Sequence, residues 1–163
     1  MEIELPFIDE FEAIVDAPPP RVFATLASVV GRSFAGPFGN AFTALLGCRH
    51  RGVNYTVPPR TGQELNGFRV ADVTAPSTLV LEGQHRFASY RLAFLVEAEA
   101  EAEGVAGNRS RLRARTDALF PGVTGAIYRT CVIGSGGHAW IAKRMLRAIA
   151  RRAERDQTPR LAP

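Results

Sequence analysis

The sequence predicts an α+β fold: a curved antiparallel β-sheet wrapped around a long C-terminal α-helix, with two short helices after the first strand. Three observations predict it. A strand-like opening is stopped by a proline run and followed by helically spaced apolar residues. Residues 51–120 carry strand and turn signals, including a long Glu/Arg-alternating hairpin. The segment from His138 to Glu154 then carries one apolar stripe with helical period.

Each element has a local reason. Residues 7–16 place apolar side chains to cover one face of a strand, and Asp16-Ala17-Pro18-Pro19-Pro20 ends it. Proline suits the first turn of a helix, and Asp16 is a candidate cap. Val22, Phe23, Leu26, Val29 and Val30 then recur at helical spacing, with Gly31 as the expected stop. A second short helix is expected between Phe38 and Leu46, ended by Gly47. Tyr55-Thr56-Val57 precedes the Pro58-Pro59 break. Strands are predicted over 67–73, from Thr78 to Glu82, and from Tyr90 to Glu103. The helical segment expected from Gly125 to Ile133 meets Gly134-Ser135-Gly136-Gly137, a kink or break before the closing helix.

The hairpin is the strongest local pattern. Glu97, Glu99, Glu101 and Glu103 alternate with alanine; after a 104–108 turn, Arg109, Arg111, Arg113 and Arg115 alternate again. Residues two apart in a strand share a face. The expected pairs are Glu103–Arg109, Glu101–Arg111, Glu99–Arg113 and Glu97–Arg115, as solvated stripes on an exposed sheet face. The opposite, dry face carries Tyr90, Leu92, Phe94, Val96, Ala98, Ala100, Leu112, Ala114, Thr116 and Phe120. The C-terminal helix covers it with Ile141, Met145, Leu146, Ile149 and Ala153, leaving Lys143, Arg144, Arg147, Arg151 and Arg155 largely on the wet side.

The 163 residues, 46% hydrophobic and 22% charged, fit one soluble domain over 1–156 with a flexible tail at 157–163. No run reaches the eighteen or so apolar residues of a membrane span, and the acidic opening residues are unlike a signal peptide. A cytoplasmic location is expected, with Cys48 and Cys131 reduced and each buried by default. The net charge is +4, yet of 20 basic residues only Lys143 is lysine. That arginine usage, with abundant alanine and glycine, reads as a GC-rich, bacterial genome, so part of the basicity is mutational bias.

Residues 11–23 (FEAIVDAPPPRVF), Gly67-Phe68-Arg69-Val70 with Leu79-Val80-Leu81, and Tyr128 through Ala153 together resemble the START-like, or SRPBCC, superfamily. Its helix-grip fold unites lipid-transfer domains, birch-pollen-allergen-like proteins and polyketide cyclase/dehydratase-like proteins. The resemblance spans nearly the whole chain and rests on the order of elements. It implies an apolar cavity between the sheet and the last helix and no single chemistry.

Candidate chemistry is sparse. The glycine run is neither a phosphate-binding loop nor a nucleophile elbow. It could form an anion nest with Ser135 as cap; a helix kink packed on the sheet is favoured. His50, His85 and His138 lack metal-ligand spacing, and no cofactor is implied. His85 follows the inward Leu79/Leu81 side of its strand, and His138 sits at the kink where it could reach the cavity end. Tyr90 and Tyr128 offer apolar bodies with one polar tip. The basic closing helix reads as a solvated face, since no helix-turn-helix or RNA-binding aromatic motif accompanies it.

The leading reading is binding, transport or sequestration of a hydrophobic or amphipathic small molecule: a lipid, a fatty-acid derivative or a polyketide-like compound. The ligand-binding set is His85, Tyr90, Leu92, Phe94, Leu112, Tyr128, Ser135, His138, Ile141 and Met145, with no catalytic or metal residue assigned. Release would move the closing helix or the 49–61 loop. The expected partner is that ligand, with no nucleic acid and no integral membrane association; a homodimer is left open. One alternative is a cyclase/dehydratase-like enzyme with an inward His or Tyr as acid/base, helped by an acid such as Glu82 or Asp117. The other is a structural or interaction module with its cavity filled by side chains.

Overall fold

The computed structural model describes residues 4–34, 37–99 and 108–155. The elements in order are β1 (Phe7–Val15), α1 (Pro19–Phe34), α2 (Pro37–Leu46), β2 (Glu64–Leu65), β3 (Phe68–Thr74), β4 (Thr78–His85), β5 (Ala88–Ala98), β6 (Ser110–Leu119), α3 (Gly122–Arg129), a π-helical turn (Thr130–Gly134) and α4 (Gly137–Arg155). The six strands form one sheet in the order β1-β6-β5-β4-β3-β2, with every neighbouring pair antiparallel. This is the α+β architecture expected from the sequence.

The core forms where α1 and the C-terminal half of α4 press on β1, β6, β5 and β4. Val22, Leu26 and Val30 of α1 meet Leu146, Ile149 and Ala153 of α4 over Leu79, Leu81, Phe94 and Leu112 of the sheet. Phe94, Leu112 and Ile149 have no exposed surface. Burying a side chain of that size contributes about 1.5–3 kcal/mol.

Two local expectations at α1 change. The helix does not stop at Gly31 but runs on to Phe34. A Cβ at residue 31 would lie 2.9 Å from the Tyr55 ring, whose hydroxyl donates to the Ala27 carbonyl at 3.0 Å. Glycine there admits a packed ring; it does not end the helix. Asp16 lies two residues before the Pro18 carbonyl that accepts the first helical N–H bonds, from Arg21 and Val22. Its carboxylate pairs with Arg109 at 2.7 Å.

The hairpin keeps its face but not its register. Glu97 lies opposite Arg111 and Ala98 opposite Ser110, a shift of four residues from the expected pairing. β5 ends at Ala98; Ala100, Glu101, Glu103 and the expected turn residues 104–107 lie outside the described residues, as do tail residues 157–163. The physical reason is that a period-two charge pattern is satisfied by any even shift, so it selects a face without selecting partners. The acids of β1 supply the missing constraint. Arg111 pairs with Glu99 at 3.0 Å and Glu12 at 3.2 Å, and Arg113 with Glu97 at 2.8 Å and Glu10 at 3.8 Å. Arg115 turns to Asp117 on its own strand at 2.9 Å.

The glycine run breaks the C-terminal helix. α3 starts at Gly122, earlier than expected, and widens into the π-turn; Gly136 at φ +75° separates that turn from α4. A positive φ of this kind suits glycine.

Candidate functional site

The N-terminal half of α4 does not close on the sheet as its C-terminal half does. Between them lies a cavity of about 260 Å³. Its sheet wall is built from inward positions occupied by small or polar residues: Ala88 on β5, and Ala114, Thr116 and Ala118 on β6. The alternation that sends Arg113, Arg115 and Asp117 outward sends these inward. Its helical wall is Tyr128, Val132, Ile133, His138, Ile141, Ala142 and Met145, and Phe34, Cys48 and Phe68 close it beside Tyr90.

Of the ten residues singled out from the sequence, His85, Tyr90, Leu92, Tyr128, His138, Ile141 and Met145 line this space. Phe94 and Leu112 do not; both are wholly buried in the adjoining core. Ser135 is also outside. It is exposed, and its hydroxyl accepts from the Gly137 N–H at 3.3 Å, so it caps α4 instead of facing a ligand. Cys131 is exposed and not buried, on the outside of the π-turn, whereas Cys48 is buried against the cavity; both are free.

One end of the cavity is aromatic. The His85 ring lies between Tyr90, at 5.4 Å between centroids, and Tyr128, at 4.9 Å; Phe87 stacks on Tyr128 at 5.5 Å. The Phe87 N–H donates to His85 Nδ1 at 3.1 Å. That bond assigns the proton of the neutral imidazole to Nε2. Burial disfavours the charged ring and lowers its pKa below the ordinary value. His85 therefore presents the cavity with a neutral N–H donor, and Nε2 has no protein acceptor among the described residues.

Tyr90 is differently occupied. Its hydroxyl donates to the Gly67 carbonyl at 2.7 Å, pinning the β2–β3 turn. Burial, then the neighbouring Cys48, pushes its pKa up. Burial likewise raises the pKa of Cys48 and of Tyr128. All three groups are protonated at neutral pH, so this end holds donors without a formal charge.

The other end is polar in a different way. His138 Nε2 lies 3.0 Å from Thr116 Oγ1, tying the start of α4 to β6, and the buried Asp9 Oδ1 of β1 stands 3.4 Å from the same nitrogen without a hydrogen bond. Both contacts fall on the same ring nitrogen. A carboxylate–histidine–hydroxyl relay needs the carboxylate on Nδ1 and the hydroxyl on Nε2, so these three residues form a tether and no relay.

The acid–base pair that a cyclase/dehydratase-like reaction would call on is not assembled. Glu82 lies on the other face of β4 and pairs with Arg91 at 2.7 Å; Asp117 pairs with Arg115. Among the described residues no group of three His, Cys, Asp or Glu side chains could hold a metal ion, and no helix is long and apolar enough to cross a membrane.

Sequence reasoning did not reach Cys48, Phe34 or Phe68, which arrive from the α1–α2 and β3 regions and share no pattern with the sheet. It placed Ala114 and Thr116 on the inward face without showing that their small size leaves space. A signal was present in Gly67 and Gly83. A Cβ at Gly83 would collide with the Gly67 carbonyl and the Tyr90 ring, so these glycines make room for Tyr90 beside the cavity.

No protein-family model and no curated protein matches the chain by sequence. Solved structures do match. An uncharacterized protein from Rhizobium leguminosarum aligns over 93% of this chain and 96% of its own, at 16% identity and a TM-score of 0.51. A norcoclaurine synthase point mutant from Thalictrum flavum, solved with a transition-state analogue, aligns over 96% and 100% at 12% identity and a TM-score of 0.51. A protein from Chromobacterium violaceum aligns over 90% and 96% at 12% identity and a TM-score of 0.50. The likeness is one of fold: a curved antiparallel sheet gripping a C-terminal helix, the helix-grip architecture expected from the sequence.

Proposed function

We propose that this chain binds one compact, mostly apolar small molecule in the cavity between the sheet and the N-terminal half of α4. The observation that supports this best is the hollow itself, which is apolar along most of its wall and carries oriented donors at one end. Ligand sites of this kind begin at about 300 Å³, and about 260 Å³ lies at that lower edge. A one- or two-ring aromatic compound or a short acyl chain suits the space better than a long-chain lipid. His85 Nε2–H and the Tyr128 hydroxyl would meet an acceptor oxygen such as a ketone or ester carbonyl. Leu92, Ile141 and Met145 would cover the apolar part, and His138 would hold the helical lid to the sheet. The reading is of a binding protein acting in the cytoplasm by sequestration or delivery. The neutral His85 with its proton on Nε2 donates and does not accept, which favours recognition over base catalysis.

The test is native mass spectrometry and organic extraction of the purified protein, followed by a thermal-shift screen of ring carbonyl compounds and short acyl esters. The expected result is a bound species or a stabilising shift for a carbonyl-bearing compound, lost in Tyr128→Phe combined with His85→Phe. No bound species and no shift across the screen would overturn the proposal.

A further inference from the structure

The arginines of this protein fall into two groups. Those on the sheet face carboxylates, as Arg91, Arg109, Arg111, Arg113 and Arg115 do. A second group converges between the C-terminal ends of α1 and α4. There, Arg32 and Ser33 in the last turn of α1 face Ala148, Arg151, Arg152 and Arg155 of α4 across a surface cleft of about 370 Å³. The α4 residues are spaced i, i+3, i+4 and i+7 and so form one helix face. Ala148 is the small residue that leaves the cleft its depth.

None of the four arginines has an ion-pair partner among the described residues. The nearest described acid in sequence, Glu154, is engaged elsewhere, with its Oε1 accepting from the Asp16 N–H at 3.2 Å. Cations near helix C-termini are ordinarily explained by the helix dipole, and both helices end here. Two helix ends contribute only about half a negative charge each. Four guanidinium groups exceed that, so the cleft stays positively charged.

We propose that this cleft is an anion site for a compact phosphate-bearing group, independent of the cavity ligand. Guanidinium groups bind phosphate through paired N–H donors, and Ser33 adds a hydroxyl within the same cleft. The size argues for one or two phosphates and against a nucleic-acid strand, whose recognition spreads over many backbone contacts. A free phosphate ester and a lipid headgroup present the same chemistry.

The experiment is calorimetric titration of the full chain with inorganic pyrophosphate at low salt, beside flotation with phosphatidic acid and phosphatidylcholine vesicles. The comparison variant is Arg32→Gln with Arg151→Gln, both exposed positions outside the core, and Arg111→Gln with Arg113→Gln, which removes the same two charges from the sheet face, is the control for overall charge. Saturable one-to-one pyrophosphate binding, weakened tenfold or more by the double variant and unchanged by the control, is the expected result. Selective flotation with phosphatidic acid and the same variant dependence would assign the headgroup as the source. Pyrophosphate and vesicle binding that are absent, or equal in the double variant and the control, would overturn the site. So would binding confined to duplex DNA.

Discussion

The two halves of α4 face the same sheet and do opposite things. Beneath the C-terminal half, Leu146, Ile149 and Ala153 interlock with Phe94, Leu112 and α1, and the space is filled. Beneath the N-terminal half, His138, Ala142 and Met145 stand over Ala88, Ala114 and Ala118, and the space is open. The difference lies in side-chain volume at inward positions, not in a change of backbone architecture. It teaches that stability and ligand capacity are divided along one helix, and that a substitution's effect depends on which half it touches.

The largest expected effect breaks the packed half. Phe94→Ala removes a wholly buried ring and should destabilise by about 3–5 kcal/mol, read by denaturant unfolding. A loss below 1 kcal/mol would mean that the packed half is looser than described. Next, Gly83→Ala forces a methyl group into the Tyr90 ring and the Gly67 carbonyl. Overpacking of this sort costs about 1–3 kcal/mol, and circular dichroism melting should show it together with weaker ligand binding.

Filling the hollow half sharpens the contrast from the other side. Ala118→Leu adds volume to the cavity wall, where space already exists. Its melting midpoint should hold within a few degrees while ligand-induced stabilisation falls at least tenfold in apparent affinity. A large drop in stability would show that the space is not free.

pH separates the halves more gently. The folded-state pKa of His85 is lowered by burial, so the unfolded chain binds the proton more readily. The stabilising contribution is complete above the ordinary histidine value of about 6.5 and is lost as pH falls below it towards the folded value. Chemical denaturation across this window should show wild type losing stability, and His85→Phe losing less. Equal pH dependence in both would remove His85 as the cause. The smallest effect belongs outside both halves: Arg113→Gln on the sheet's outer face should leave the melting midpoint nearly unchanged, since exposed ion pairs are weak.

Much of this was legible in the chain. The Pro18–Pro20 run, the Leu79/Leu81/His85 alternation and the Leu146/Ile149/Ala153 stripe placed their elements and faces correctly, because periodicity reports which side of an element is dry. The aromatic end was partly legible too, with His85, Tyr90 and Tyr128 inward. The errors were of another kind. The Glu/Arg hairpin slipped by four residues, Gly31 did not end its helix, and Ser135 turned out to solvent. The first two depended on partners distant in sequence, Glu10 and Glu12 of β1 and the Tyr55 ring; the third followed from the local break at Gly136, which leaves the Ser135 hydroxyl to cap α4.

What the sequence determined by itself, then, was the order of elements and the side each one buries, since both follow from local spacing and chain-breaking residues. Only the tertiary structure decided the strand register, the division of the interior into a packed and a hollow half, and the meeting of Arg32 with the α4 arginines. Those depend on volumes and charges that come together across long stretches of chain, where local pattern carries no information about the partner.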